Sequence, residues 1–482
     1  MKKQTTLKNF KVVNFLLFGK GGRKLRRGLF KRLFSDGEFY KILLAIAIPI
    51  VIQNLIASSL NMVDTVMIGR VGEFEIAAVG IANQVFFLFI ILIMGFYSGA
   101  GIFISQFWGN NDEKNIRRIL GLSLIIGVII SVIFTTGALF LPEPIVRIFN
   151  KDNDVIRLGS DYLKVVSISY IFTAITFAFS MALRSIGKTM LPMIVSIIAL
   201  LTNTILNYAF IFGNLGAPEL GVKGAALATL IARIIEAIVL ICYVYMSKGV
   251  LASSIKEMFN FNKEFVEKSF KTIIPVVLNE ICWGLGSVVY AIAYGKIGTQ
   301  AIASIQITTT IQNLYMVLVF GIANASAVMV GNQIGAGEEE KGKEYAYRLF
   351  GLGALVAIGI SILIWVTAKD VLNIFKVSET VLYDSLMILY ITSLIMIVRV
   401  INIILIVGVL RGGGDAKYSL KLEAFTMWGI GVPLSFIGAI WFNLPIYGVV
   451  ALLTVEEVVK CFFAVKRLIS NKWVNRVIHD IQ

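Results

Sequence analysis

IGRVGEFEIAAVG, residues 68–80, and YGKIGTQAIASIQ, residues 294–306, are one pattern written twice, 226 residues apart. The same shift lays Ile48-Pro49 on Ile274-Pro275, Gly95-Phe96 on Gly321-Ile322, Gly109 on Gly335 and Ile148-Phe149 on Ile374-Phe375. With one residue of drift it lays Leu183-Arg184 on Leu410-Arg411. A period this long is the mark of a duplicated unit, and the unit is what has to be read first.

Each copy is built of long apolar segments. Twelve are bounded by charges, glycines and prolines: 43–69, 77–107, 118–141, 156–183, 190–213, 222–247, 270–295, 301–333, 345–368, 381–410, 418–442 and 445–468. Each exceeds the ~20 residues that a spanning helix needs. Backbone groups in lipid must be paired within the segment, and no ~10-residue alternating stretches suggest a barrel, so the segments read as helices. Six per copy is an even number, so both copies start from the same side. The expected fold is all-α and polytopic, with twelve transmembrane helices in two parallel six-helix lobes related by a pseudo-twofold along the membrane normal.

Composition agrees. The 482 residues are 57% hydrophobic and 15% charged, against about 25% charged in an ordinary soluble chain. Mean hydropathy is +0.84. A soluble globular protein and a disordered chain are both excluded on these values. The net charge of +15 would suggest nucleic acid in a soluble protein. Here it reads as loops held against an anionic inner leaflet, with no nucleic-acid partner. Cys242, Cys282 and Cys461 are dispersed in apolar segments and the single histidine is His479. That leaves no disulfide framework, no Cys/His metal site and no Ser-His-Asp triad.

The basic residues set the orientation. With the N-terminus inside, 33 Lys/Arg fall in inside segments and 9 in outside loops, and Arg233 and Arg399 lie within spans. Both termini are therefore expected in the cytoplasm. The domains read as a basic arm 1–40, an N-lobe 41–247, a cytoplasmic linker 248–269, a C-lobe 270–468 and a tail 469–482. Within 24–35, Leu25, Leu29, Phe30, Leu33 and Phe34 recur at helical spacing between basic residues, as in a helix lying on the inner leaflet.

Charge at membrane depth is costly and marks function or a paired partner. Asp64 lies in the first span with no cation within a helical turn except Arg70, beyond the span. An acid in an apolar cavity can exchange a proton, or hold Na⁺ with help from neighbouring oxygens. Asn203 and Asn207 share a face of the fifth span and Thr229 lies in the sixth, so their oxygens are candidates for that help. Glu280 and Arg399 reach roughly 13 and 18 Å from the inner surface at 1.5 Å per residue, which predicts that they meet in the C-lobe. Arg233 with Glu236, and their repeat counterparts Glu457 and Lys460, read as structural pairs at spacing i, i+3. Gln84, Phe86, Trp283, Tyr290, Gln306 and Gln312 are candidate cavity liners.

From 40 to 468 the chain resembles the multidrug and toxic compound extrusion (MATE) family. The resemblance rests on the two-times-six plan and on Pro49, NMVDTVMIGRVG at 61–72, GNND at 109–112, LRSIGKT at 183–189, LNYAFIFG at 206–213 and LRGGGD at 410–415. It implies export of amphipathic, often cationic, small molecules from bacteria, driven by inward H⁺ or Na⁺, by a monomer in the plasma membrane. It implies no enzymatic activity and no cofactor beyond the coupling ion. Asp64 falls on the family's acidic position in the first span, and Asn203 and Asn207 on its fifth-span positions, where some members carry an Asp at the second. Glu280 matches the seventh-span glutamate of the C-lobe cation-binding branch. Arg399 stands near that branch's tenth-span acid, a departure that favours coupling at Asp64. Flippases for lipid-linked sugars or peptidoglycan precursors share the plan but line the cavity with several basic residues. A polytopic membrane enzyme such as a prenyl transferase would carry paired Asp-rich motifs, and the sequence has none.

Overall fold

The computed structural model describes residues 36–375 and 377–479. The basic arm and the amphipathic stretch 24–35 lie outside the described residues. Twelve helical spans are present among them. They are α1 Gly37–Gly69, α2 Glu73–Gly109, α3 Glu113–Phe140, α4 as the pair Asn153–Val166 and Ser169–Ser185, α5 Met190–Phe212 and α6 Val222–Met246. The second set is α7 Lys263–Ile297, α8 Thr299–Gly335, α9 Glu339–Leu372, α10 Glu379–Leu410, α11 Ala416–Trp441 and α12 Ile446–Ile469. Ten are long and apolar enough to cross a membrane, and the bent pair makes eleven. The twelfth, α12, falls short only in apolarity, because Glu456, Glu457 and Lys460 sit in its middle. Two short helices, Pro142–Phe149 and Ile255–Met258, lie in segments expected to be loops.

Side-chain and proline chemistry bend the spans. The two parts of α4 meet at 48°. There the Thr135 hydroxyl of α3 donates to the Ser167 carbonyl at 2.7 Å, drawing it out of the helical ladder. Pro49 of α1 has no N–H, which frees the Ala45 carbonyl four residues back. The Thr189 hydroxyl donates to that carbonyl at 2.9 Å and ties α1 to the start of α5. In α10 and α11 the turns widen to π geometry over Ile404–Leu410, Ala424–Gly431 and Ile437–Trp441. Such widening often marks functional positions.

The lobes interlock through their first spans. Phe39, Leu43, Ile46 and Ile50 of α1 pack into the C-lobe core, and Phe265 and Ile273 of α7 into the N-lobe core. Glycines on the second spans make the crossings close: a Cβ on Gly95 or Gly99 would press on the α7 backbone, and one on Gly321 on Val51 of α1. Gly95 and Gly321 are repeat partners. Along α2, nearly every residue from Gly95 to Phe107 is buried, whereas the half before it is buried on one side only. The lobes thus meet at the end that carries Asp36 and His479, the two ends of the described chain, and are less closely packed toward the other.

The segment after α12, read from sequence only as a tail, seals that meeting. The Asn475 N–H donates to the Gly413 carbonyl at 2.8 Å, and the Val477 N–H to Gln106 Oε1 at 2.9 Å. Arg476 donates to Asn110 Oδ1 at 2.8 Å and to the Gly335 carbonyl at 2.9 Å, one in each lobe. Trp473 and Ile478 are fully buried. The linker is also more ordered than its composition suggests. Ser254 and Glu257 form a capping box, and Arg117 of α3 pairs with Glu257 at 3.2 Å.

Candidate functional site

In the N-lobe, the half of α1 beyond the crossing turns back onto its own lobe and delivers Asp64 to α5. Asn207 Nδ2 donates to Asp64 Oδ1 at 2.5 Å and to Asn203 Oδ1 at 3.0 Å. Asn203 Nδ2 in turn donates to the Thr229 hydroxyl of α6 at 3.3 Å. The four N-lobe residues singled out in the sequence therefore form one connected set. Tyr162 of α4 lies beside Asp64 and Thr229. Asn203 and Asn207 are fully buried, and both amide hydrogens of Asn207 are spent, so its Oδ1 is left buried without a hydrogen-bond partner. Arg233 is the cation facing this group, and it is held by Glu236 at 2.7 Å as expected. The site thus combines a carboxylate with no ion-pair partner among the described residues and a carbonyl oxygen with no donor. That is a donor set for a proton or a small monovalent cation, hard oxygens only. His and Cys play no part in it, and the described residues hold no cluster of three or more His, Cys, Asp or Glu arranged for a metal.

The C-lobe corrects the sequence reading. Glu280 does not meet Arg399. It pairs with Arg411 at 2.7 Å, and Arg411 also donates to Asn279 Oδ1 at 2.5 Å. The depth of Arg399 is counted from Arg411, twelve residues on, and fails because Arg411 does not mark the membrane surface. The π turns before it and the glycines after it carry Arg411 into the seam between the lobes, where it is 5% exposed. Arg399 donates instead to Gln312 Oε1 at 2.8 Å, and Gln312 donates to the Thr392 hydroxyl at 3.4 Å.

The expected Glu457–Lys460 pair is replaced as well. Lys460 pairs with Glu456 at 2.8 Å and with Glu423 of α11 at 3.0 Å. Tyr290 donates to Glu456 Oε2 at 2.5 Å. Glu457 accepts Asn402 Nδ2 at 2.7 Å. On α12 the geometry favours i, i+4, and Glu423 reaches Lys460 from across the lobe, a contact the repeat alignment does not carry because position 423 has no charged counterpart in the N-lobe. Gly431 is required here, since a Cβ would collide with the Tyr290 hydroxyl and Glu456.

The candidate liners divide. Tyr290 and Gln312 join the C-lobe polar network. Gln84, Trp283 and Gln306 are exposed on α2, α7 and α8. Phe86 is instead part of the N-lobe packing, against Phe89 and Tyr170. Two residues missed as site candidates, Arg184 and Arg411, line a small cavity between the lobes with Ser98, Ser105 and Asn324. Arg184 donates to Gln53 Oε1. The repeat match of Leu183-Arg184 with Leu410-Arg411 was the signal for them.

Known proteins similar to this chain include a transporter and multidrug resistance proteins. The uncharacterized transporter YisQ of Bacillus subtilis is 27% identical over 432 residues, 89% of this chain and 94% of its own. The probable multidrug resistance protein NorM of Thermotoga maritima is 25% identical over 464 residues, 94% of this chain and 98% of its own. Among solved structures, the fold matches that of the Vibrio cholerae MATE transporter VcmN in its bent form, with TM-score 0.83 and 19% identity over 94% of this chain and all of that one. It also matches an outward-facing multidrug resistance MATE family transporter of the MOP superfamily, with TM-score 0.81 and 20% identity over 92% and 98%. The MatE family profile matches residues 49–209 and 275–437, one copy in each half at the 226-residue offset of the internal repeat. The chain therefore belongs to the MatE family, a family of multi-pass membrane transporters.

Proposed function

We propose that the chain is a secondary active antiporter that exports amphipathic, often cationic, small molecules in exchange for H⁺ or Na⁺. It acts in the plasma membrane of a bacterium, with both termini in the cytoplasm. The observation that carries this reading is the Asp64 site: a carboxylate without an ion-pair partner among the described residues, held by Asn207. In this reading the described state faces outward. Asp64 releases its ion when substrate enters the cavity and rebinds one afterwards. An amide at that place cannot exchange a proton.

The flippase reading gains some support from Arg184 and Arg411 at the cavity floor. Arg411 is already committed to Glu280 and Asn279, however, and Arg184 alone is a poor match for a pyrophosphate. The exporter reading is tested with the purified chain in liposomes, following efflux of a cationic dye while a proton or a sodium gradient is imposed separately. Efflux should follow one of the two gradients. Dye movement indifferent to both would set the reading aside.

A further inference from the structure

The small cavity between the lobes straddles the pseudo-twofold axis. Its walls come in repeat-related pairs, one residue from each lobe. Ser98 matches Asn324 and Ile102 matches Val328 at the 226-residue shift, and Arg184 matches Arg411 with one residue of drift. Two arginines therefore line one cavity of about 30 Å³. Arg411 is 5% exposed, and the Nε of each arginine is buried with no hydrogen-bond partner among the described residues.

The two arginines are not equally compensated. Arg411 pairs with Glu280 at 2.7 Å and donates to Asn279 Oδ1. The 226-residue shift lays Gln53 on Asn279 and Asn54 on Glu280. The amide contact is kept in the N-lobe, since Arg184 donates to Gln53 Oε1. The carboxylate is not, because an asparagine stands at its position. Arg184 makes no ion pair among the described residues, and no carboxylate among them acts on it. Two guanidinium groups thus stand against one carboxylate, a surplus of one positive charge at the cavity.

A guanidinium cannot shed this charge by losing a proton. Buried charge is costly unless it is paired. One monovalent anion between Arg184 and Arg411 would give Arg184 what Glu280 gives Arg411, and an acceptor to both Nε–H groups. The Ser98 hydroxyl, which accepts from Arg411 at 3.4 Å, can turn its hydrogen on the same anion. Size then selects the ion. A single water needs about 10–15 Å³ of such space, so the cavity takes a halide-sized ion, and a phosphate with its four oxygens is too large.

We propose that Arg184 and Arg411 form a site for one halide-sized monovalent anion, held on the pseudo-twofold axis between the lobes. Its donors come from the end of α4 in one lobe and the residue after α10 in the other, so the bound anion ties the lobes together at the seam. Separation of the lobes there parts the arginines and releases it. The anion therefore favours the closed seam as its concentration rises above its dissociation constant. The site is independent of Asp64 and of the coupling ion.

The test uses the purified full chain in detergent at fixed pH and fixed sodium, with sodium gluconate exchanged for sodium chloride. Calorimetric titration should show one saturable chloride per chain, and the thermal unfolding temperature should rise with chloride. Arg184→Gln removes the surplus charge and should weaken chloride at least tenfold. Asn54→Glu supplies the carboxylate that the repeat places beside Arg411, and should do the same with the arginine intact. In crystals soaked in bromide, an anomalous peak should lie between the two guanidinium groups, a readout that needs no variant. Identical unfolding in gluconate and chloride, or no bromide peak in the cavity, overturns the proposal. So does unchanged chloride affinity in Arg184→Gln, or in Asn54→Glu if the former does not fold. Equal affinity for inorganic phosphate would overturn the assignment to a halide-sized ion.

Discussion

Gly109 and Gly335, equivalent residues of the two repeats, meet across the lobe boundary, and neither position has room for a side chain. A Cβ on Gly109 would run into the Asn332 carbonyl, and one on Gly335 into the Gln106 carbonyl. The pseudo-twofold axis passes through this contact, so a single duplicated glycine lets the two backbones close the terminal end of the molecule.

The first prediction follows from that contact. Gly335→Val should cost the closed arrangement about 1–3 kcal/mol by overpacking. At 1.4 kcal/mol per tenfold, the lobes should separate at this end in a much larger fraction of molecules. Spin labels placed on the two lobes at that end should show a longer distance. An unchanged distance would mean that the seam does not set the closed state.

The C-terminal segment adds to the same seam. Arg476 bonds to both lobes, and a hydrogen bond from a charged group contributes about 1.5–3 kcal/mol net. Arg476→Ala, which leaves the buried Trp473 and Ile478 in place, should therefore favour separation at the terminal end, with fold and thermal stability of the individual lobes largely kept. Protease accessibility of the Gly109 and Gly335 turns reads the change.

Glu280 and Arg411 should be energetically coupled. Glu280 is partly exposed, so breaking the pair should cost between the about 1 kcal/mol of an exposed pair and the about 3–5 kcal/mol of a dry one. A double-mutant cycle with Glu280→Gln and Arg411→Gln should be clearly non-additive. The cycle of Glu280→Gln with Arg399→Gln should be additive within about 0.5 kcal/mol.

Asp36 caps α1 outside the membrane. The backbone N–H of Phe39, and then Arg348 at 2.7 Å, hold its carboxyl below the ordinary carboxylate value. A lowered native value means stability that is present above the unfolded pKa and lost as pH falls through the folded one. Thermal unfolding should therefore move to lower temperature in that acid range. Asp36→Asn, which keeps the cap, should reduce that part of the pH dependence.

Much of this was legible in the sequence. The repeat at 68–80 and 294–306 carries the two-lobed plan, because a duplicated membrane unit has few ways to fold. Asp64, Asn203, Asn207 and Thr229 were found together because helical spacing and span depth bring α1, α5 and α6 to one level. The C-lobe was harder. Glu280 and Arg411 were separated by the assumption of regular α geometry up to the membrane surface, which the π turns at Ile404–Leu410 break. Glu423 was invisible as a partner of Lys460 because the contact crosses between helices with no periodic signature. The docking of Trp473 and Arg476 could not be read from a short segment of mixed polarity.

The central claim is that Asp64 couples ion to substrate, and Asp64→Asn tests it most directly. The change keeps size and hydrogen-bonding capacity, so the protein should insert, fold and still bind a cationic dye. In liposomes, gradient-driven efflux should fall to near background. Efflux at the wild-type rate, with the wild-type dependence on the imposed ion gradient, would contradict the account.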